Sequence, residues 1–237
     1  MKTIILRKLS FIVLLAVVSL SASAATKDSQ TRSVGAFSKI SVSSGIDLYL
    51  TQGETESVLV EADEDLIDKI ITKVEGETLH IYIKNKGNWN WGWNQSRKVN
   101  VTFDELTALD ASAGTDVEAE EEVNVEQISI SVSSGSDVDF SRLNAQSVRV
   151  SASSGADVVL AGKTFSLSAD SSSGSDIDCE DLMSEECKAS ASSGSDIVLW
   201  ANKSLTANAS SGGDIRYKGE PGQKNFDESS GGDVSSL

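Results

Sequence analysis

From residue 128 to residue 217 apolar and polar residues alternate in short runs, and each run stops at a Ser-Ser-Gly step before the alternation resumes. Seven and five residues before the glycine lie Ile128 and Ile130, Val148 and Val150, Leu167 and Ala169, Cys187 and Ala189, Leu205 and Ala207. Three and five residues after the glycine lie Leu48 and Leu50, Val138 and Phe140, Val158 and Leu160, Ile177 and Cys179, Ile197 and Leu199, Ile215 and Tyr217. A period of two predicts strands with one buried face, and the glycine predicts a corner between them.

The corner returns as SSGIDL, SAGTDV, SSGSDV, SSGADV, SSGSDI, SSGSDI, SSGGDI and SSGGDV, and from Gly114 onward its glycines are 21, 20, 19, 20, 18 and 19 residues apart. A twenty-residue unit that brings the same residue back to the same place stacks strand on parallel strand, because hairpins would reverse direction. The fold expected is therefore all-β, a parallel β-helix with about twenty residues per coil.

Residues 25–237 form a single β-helix domain in this reading, with regular SSGxD coils over 112–237 and modified coils over 25–111. In the modified part SVLVEA, TLHIYIK and KVNVTF are strand-like and again about twenty residues apart, so the stacking is expected to continue through them. Between the first two, Leu66, Ile67, Ile70, Ile71 and Val74 share a helical face after an Asp63 cap, which predicts one short helix over 63–74 that covers the amino-terminal end of the core. At the other end Glu228 and Ser236 stand where earlier coils have small or apolar residues, the mark of a polar terminal coil.

Residues 1–24 change the picture of where this domain resides. Lys2, Arg7 and Lys8 precede an apolar run that ends in Ala22-Ser23-Ala24, which reads as a cleavable secretory signal. No later segment is apolar for long enough to span a bilayer, and no cysteine follows the signal closely enough to take a lipid anchor, so a soluble, exported chain is expected: periplasmic, outer-surface or secreted. Loss of the signal takes the formal charge from -16 to -19, which argues against nucleic acid and anionic lipid as partners and for cations or neutral glycans.

Eight aspartates stand two places after the corner glycines, at Asp47, Asp116, Asp137, Asp157, Asp176, Asp196, Asp214 and Asp233. Stacking would place neighbours about 4.8 Å apart. Such carboxylates must be solvated, held by corner amides and hydroxyls, or neutralised by cations; corner capping and a calcium site drawn from Asp137, Asp157, Asp176 and Asp196 both remain open. Carboxylates about 5 Å apart would also suit a retaining glycosidase, but every coil produces that spacing and no repeat is set apart, so no catalytic residue is assigned. His80 is the only histidine and alternates away from Leu79, Ile81 and Ile83, which places it on the surface.

Two further features are local. In NWNWGWN, residues 88–94, alternation points Trp89, Trp91 and Trp93 the same way, either as a surface for a sugar ring or a protein partner, or as a lid on the solenoid. Cys179 and Cys187 occupy inward columns whose other members face one another across a corner, and a disulfide between them is expected over a pair of packed thiols.

The order of the segments SSGIDLYLTQG, VLVEADEDLIDKIITKVEGETLHIYIK, KVNVTFDELTALDASAGTDVE and the following SSGSD repeats resembles the head GIN domain family, described as putative auto-transporter adhesins, with Gly45-Ile46-Asp47 at the place of the family's Gly-Ile-Asn. The resemblance covers essentially the whole mature chain. It implies a right-handed parallel β-helix and an envelope or adhesive role, with no catalytic residues to carry over. The function expected is a non-catalytic, adhesin-like binding protein that contacts a glycan or another envelope component. The alternatives are a polysaccharide lyase or hydrolase on the same scaffold, or a structural protein that self-associates as a homo-oligomer.

Overall fold

Strands that bury every second residue gain most when each inward residue lands on an apolar neighbour of the next coil, and the repeat length provides that register. The computed structural model describes residues 27–84 and 95–237. Its strands are β1 (Lys27–Arg32), β2 (Lys39–Ser43), β3 (Asp47–Gln52), β4 (Ser57–Asp63), β5 (Ile70–Glu75), β6 (Thr78–Ile83), β7 (Arg97–Phe103), β8 (Ala108–Ser112) and β9 (Asp116–Ala119). They continue as β10 (Val123–Ser133), β11 (Asp137–Ser153), β12 (Asp157–Ser172), β13 (Asp176–Ser192), β14 (Asp196–Ser210), β15 (Asp214–Lys218), β16 (Gln223–Ser229) and β17 (Asp233–Ser236).

From β8 onward the pairing is parallel and in register. Val138 lies on Val158, then Ile177, Ile197, Ile215 and Val234, while Val148 lies on Leu167, then Cys187 and Leu205. All the inward residues that the alternation marks are buried, Tyr217 being the most exposed of them at 6%. The described chain is a β-solenoid with one continuous apolar core.

The corner is tighter than a single glycine requires. The residue before each glycine is also left-handed: Ser134 has φ 61° beside Gly135 at 65°, and Ala113 has 61° beside Gly114 at 71°. Two successive positive φ values are what a type I′ turn needs, and an L-residue there costs roughly 1–2 kcal/mol. Stacking offsets this, since the ladder runs on through the corner, with Gly135 N donating to Ser154 O at 3.2 Å and Gly174 N to Ser193 O at 3.2 Å. The residue after the glycine points inward, and where it is Thr115, Ser136, Ser175 or Ser195 it is fully buried. Its hydroxyl is satisfied there: Ser195 Oγ donates to Ser171 O at 2.9 Å and Thr115 Oγ1 to Ser112 O at 3.0 Å.

The amino-terminal part departs from a simple continuation. β2 lies between β6 and β8, and β3 between β7 and β9, so the coil built by β6 and β7 stacks outside the coil that precedes it in sequence. β4 is not a coil strand at all: it runs antiparallel to β7 on one side and to β1 on the other. The helix expected over 63–74 is absent. Hydrogen-bonded turns over 64–69 lead into β5, which forms an antiparallel hairpin with β6 through Gly76 at φ 63°. Ile70, Ile71, Thr72 and Val74 are β-branched, and with a strand partner across a two-residue turn after Glu75 this preference outweighs the helical spacing of the same residues. The covering role survives the change of structure, with Leu66, Ile67 and Ile70 buried at the end of the core.

Candidate functional site

The eight corner aspartates form one column. Asp47 pairs with Asp116, which pairs with Asp137, then Asp157, Asp176, Asp196, Asp214 and Asp233 in turn. At the capped end Lys98 stands beside Asp47 and closes the column with a positive charge. Burial, and then the carboxylates of Asp137 and Asp47, push Asp116 above the usual aspartate range; burial, then Asp137 and Asp176, do the same to Asp157. Part of the strain is relieved by the corners themselves, as Asp196 N donates to Asp176 Oδ1 at 3.2 Å, and by Arg216, 3.6 Å from Asp196.

Asp137, Asp157, Asp176 and Asp196 thus stand side by side along a line. A calcium cage needs oxygens that converge on a point from several directions, and among the described residues no group of three or more His, Cys, Asp or Glu side chains does so. The carboxylates of Asp157 and Asp176 accept corner amides, and Asp116 and Asp157 shift in the same direction for the same reasons.

A second surface lies past the aspartate strand, where each coil bends again. Slips in register between Phe140 and Leu143, Val159 and Gly162, and Cys179 and Met183 mark that bend. Beyond it, register sets Asn124 against Asn144, then Lys163, Met183 and Trp200 in one outward column along the solenoid. Beside this column runs an open groove of about 660 Å³, lined by Asn124, Asn144, Gln146, Lys163, Phe165 and Glu185 among others.

Two of the amides in that groove are held in place. Gln52 reaches across from β3 and pairs with the backbone of Asn124 in both directions, at 2.9 and 2.8 Å, as a further strand would. Asn144 Nδ2 donates to Glu122 Oε1 at 3.0 Å and to Asn124 Oδ1 at 3.1 Å, which leaves its own carbonyl oxygen turned to other donors. Phe165 and Met183 are each 38% exposed. Lys203 lies 5.3 Å over the Phe165 ring and 3.3 Å from Glu185, while Trp200 Nε1 donates to Asn202 Oδ1 at 2.9 Å. Fixed amides, charged groups and aromatic faces side by side suit a ligand with many hydroxyls and an apolar ring face.

The sequence does not mark this surface, because Lys163, Met183 and Trp200 stand 8, 9 and 6 residues after their corner glycines. Only the bulged register brings them into line; alignment of the coils on the second bend, in place of the glycine, would have shown the column. Trp89, Trp91 and Trp93, which sequence reasoning favoured, lie outside the described residues. Their flanks are placed: Lys84 N donates to Lys69 O at 2.9 Å, and Gln95 Nε2 to the Asp65 carboxylate at 3.2 Å. β6 and β7 pair with β2 and β3, the strands on either side of the Ser44-Gly45 corner, at the capped end of the aspartate column. His80 is half-buried on the outward face, 4.0 Å from Glu75.

The disulfide expected between Cys179 and Cys187 is not formed, and both are buried free thiols. Cys187 Sγ donates to Trp200 O at 3.4 Å, so its sulfur is committed to the next coil. Burial, with smaller contributions from Asp178 and Cys187, raises the Cys179 thiol far above its ordinary value, and burial pushes Cys187 up to about 12. Neither is a thiolate at neutral pH, and the thiolate is the form that exchanges. A thiol reagent is expected to find no reactive sulfhydryl in the native, unreduced protein and two after unfolding; none after unfolding would show the bridge.

Comparison with known proteins agrees with this architecture. The family described as "Putative auto-transporter adhesin, head GIN domain" matches residues 36–221. A putative adhesin from Bacteroides fragilis NCTC 9343 is 21% identical with a TM-score of 0.83, over 90% of this chain and 98% of that one. A putative lipid binding protein from Parabacteroides distasonis ATCC 8503 is 19% identical with a TM-score of 0.67, over 89% and 96%. A putative adhesin from Parabacteroides merdae ATCC 43184 is 16% identical with a TM-score of 0.65, over 89% and 96%. At these identities the likeness is one of fold. No curated protein matches the chain. Among the described residues no helix is long and apolar enough to cross a membrane.

Proposed function

The chain belongs to the head GIN domain family, described as putative auto-transporter adhesins, and from that premise we propose that it is an exported, non-catalytic cell-envelope protein that binds a glycan along the flank of its solenoid. The observation that carries the reading is the groove in which the amides of Asn124, Asn144 and Gln146 stand beside the exposed ring of Phe165. A pyranose has hydroxyls for the amides on its edge and a C–H face for the ring, and it carries no charge that the acidic surface would repel. Trp89, Trp91 and Trp93 are proposed as a second contact.

A glycan array on residues 25–237 is the direct test. The best ligand should lose tenfold or more in affinity with Asn144→Ala or Phe165→Ala, each a surface change that leaves thermal stability nearly unaltered. Loss of binding in the Trp89, Trp91 and Trp93 triple alanine variant alone would move the site to the tryptophan segment. An array without a ligand would overturn the glycan reading.

A further inference from the structure

The two ends of the solenoid are finished differently. At the amino-terminal end β1, β4 and β5 turn antiparallel and cover the core. At the other end, among the described residues, β16 and β17 each pair on one side only, with β14 and β15 respectively. The inward positions that hold Leu205, Ala207 and Ala209 in β14 become Lys224, Phe226 and Glu228 in β16. Phe226 packs on Tyr217 with ring centroids 5.7 Å apart, Lys224 Nζ donates to Tyr217 Oη at 3.1 Å, and Glu228 Oε1 accepts Val234 N at 3.2 Å.

The order of residues in β16 discriminates between ways of extending this edge. If another copy stacked in parallel and in register, as the coils do, Lys224 would stand on Lys224, Asp227 on Asp227 and Glu228 on Glu228, about 4.8 Å apart. The edge rejects that continuation, which is the usual protection against open-ended stacking. An antiparallel approach about a two-fold axis at Phe226 does the reverse. Lys224 then faces Glu228, Asn225 faces Asp227, Gln223 faces Ser229, and the two Phe226 rings meet, so that all seven residues of β16 have a complementary partner. A slip of two residues in either direction sets Phe226 against Lys224 or Glu228 and leaves a charge unmatched.

From this self-complementary strand we infer that the terminal coil is a homodimer interface, where two copies join tail to tail through antiparallel β16 strands. The contact is isologous and closed, so it ends at two copies and cannot grow into a fibre. It also directs the two capped ends away from each other.

Sedimentation of the mature chain across micromolar concentrations tests the inference. The wild type should show a monomer–dimer equilibrium. Asn225→Asp, which sets Asp against Asp at both ends of the two-fold, should weaken it roughly tenfold, and adding Asp227→Asn should restore it. Lys224→Glu and Glu228→Lys should each dissociate the dimer, while the double charge swap re-forms it. Lys224 and Glu228 also bond within their own coil, so the outward pair Asn225 and Asp227 carries the test if those variants fold poorly. A wild type that stays monomeric throughout, or double variants that dissociate like the single ones, would overturn the interface.

Discussion

Replacement of Gly162 by alanine is expected to destabilise the solenoid by about 3–5 kcal/mol, which combines the strain of a positive φ with overpacking against a fixed backbone. Gly162 has φ +132°, and a Cβ built on it would lie 2.1 Å from Leu143 O and 2.8 Å from Leu143 C and N. Leu143 is its register partner in the coil below and is fully buried, so the neighbour cannot yield without breaking the ladder. The comparison is Gly174→Ala at a regular corner, where φ is +67° and no atom lies within 4 Å of the added carbon. There the cost should be only about 1–2 kcal/mol. Thermal melts separate the two by several degrees at least, given about 2–4 °C per kcal/mol for a chain of this size. Equal losses in the two variants would mean that the second bend adapts, and that close stacking there is not what holds the coils.

Gly162 shows where the sequence is legible and where it is not. The SSGxD glycines announce themselves by repetition, and the coil, its inward residues and the aspartate column all follow from that spacing. Gly162 recurs at this place only in Gly219, likewise seven residues after its corner glycine and 2.2 Å from Ala201 O for an added Cβ, because the second bend is made by a bulge whose position shifts from coil to coil, and the residues it aligns are of different kinds. The Asn144, Phe165 and Trp200 surface was missed for the same reason. The cap failed in another way: Leu66, Ile67, Ile70, Ile71 and Val74 fit a helix by spacing, and only the β-branched run and the Glu75-Gly76 hairpin decide for strands. The corner serines illustrate a third limit. Nothing in a serine says that it will adopt a left-handed φ; the stacked ladder imposes it and compensates for it. The disulfide was inferred from facing columns, whereas Cys187 is directed at Trp200 O in the next coil.

Neutralising the middle of the aspartate column should make the protein more stable, against the usual direction of mutation. Asp157 stands between Asp137 and Asp176. Two charges about 4.8 Å apart repel by roughly 0.9 kcal/mol in water and 3.5 kcal/mol at an effective dielectric of 20, and exposure puts this column near the lower figure. Asp157→Asn removes two such terms and keeps an oxygen to accept the corner amide, so a gain of about 1–2 kcal/mol is expected at low ionic strength. Asp137→Asn, Asp157→Asn and Asp176→Asn together should gain more. The pH dependence has a definite sign. Asp116 and Asp157 are raised in the folded protein above the ordinary aspartate value of 3.8, so the fold binds their protons more tightly than the unfolded chain does. Their contribution to stability is full below 3.8 and is lost as pH rises through the folded values. Acidification from neutral pH through that window should therefore stabilise the wild type relative to Asp157→Asn. Salt at neutral pH should narrow the same difference. Calcium at matched ionic strength should act no more strongly than sodium, because corner amides and one arginine, with no converging cage, hold these carboxylates; a rise in melting temperature specific to calcium would make the column a metal site. A melting temperature that falls on Asp157→Asn would show that the amide at the next corner holds the carboxylate more strongly than its neighbours repel it, and the column would then be a stabilising ladder of caps.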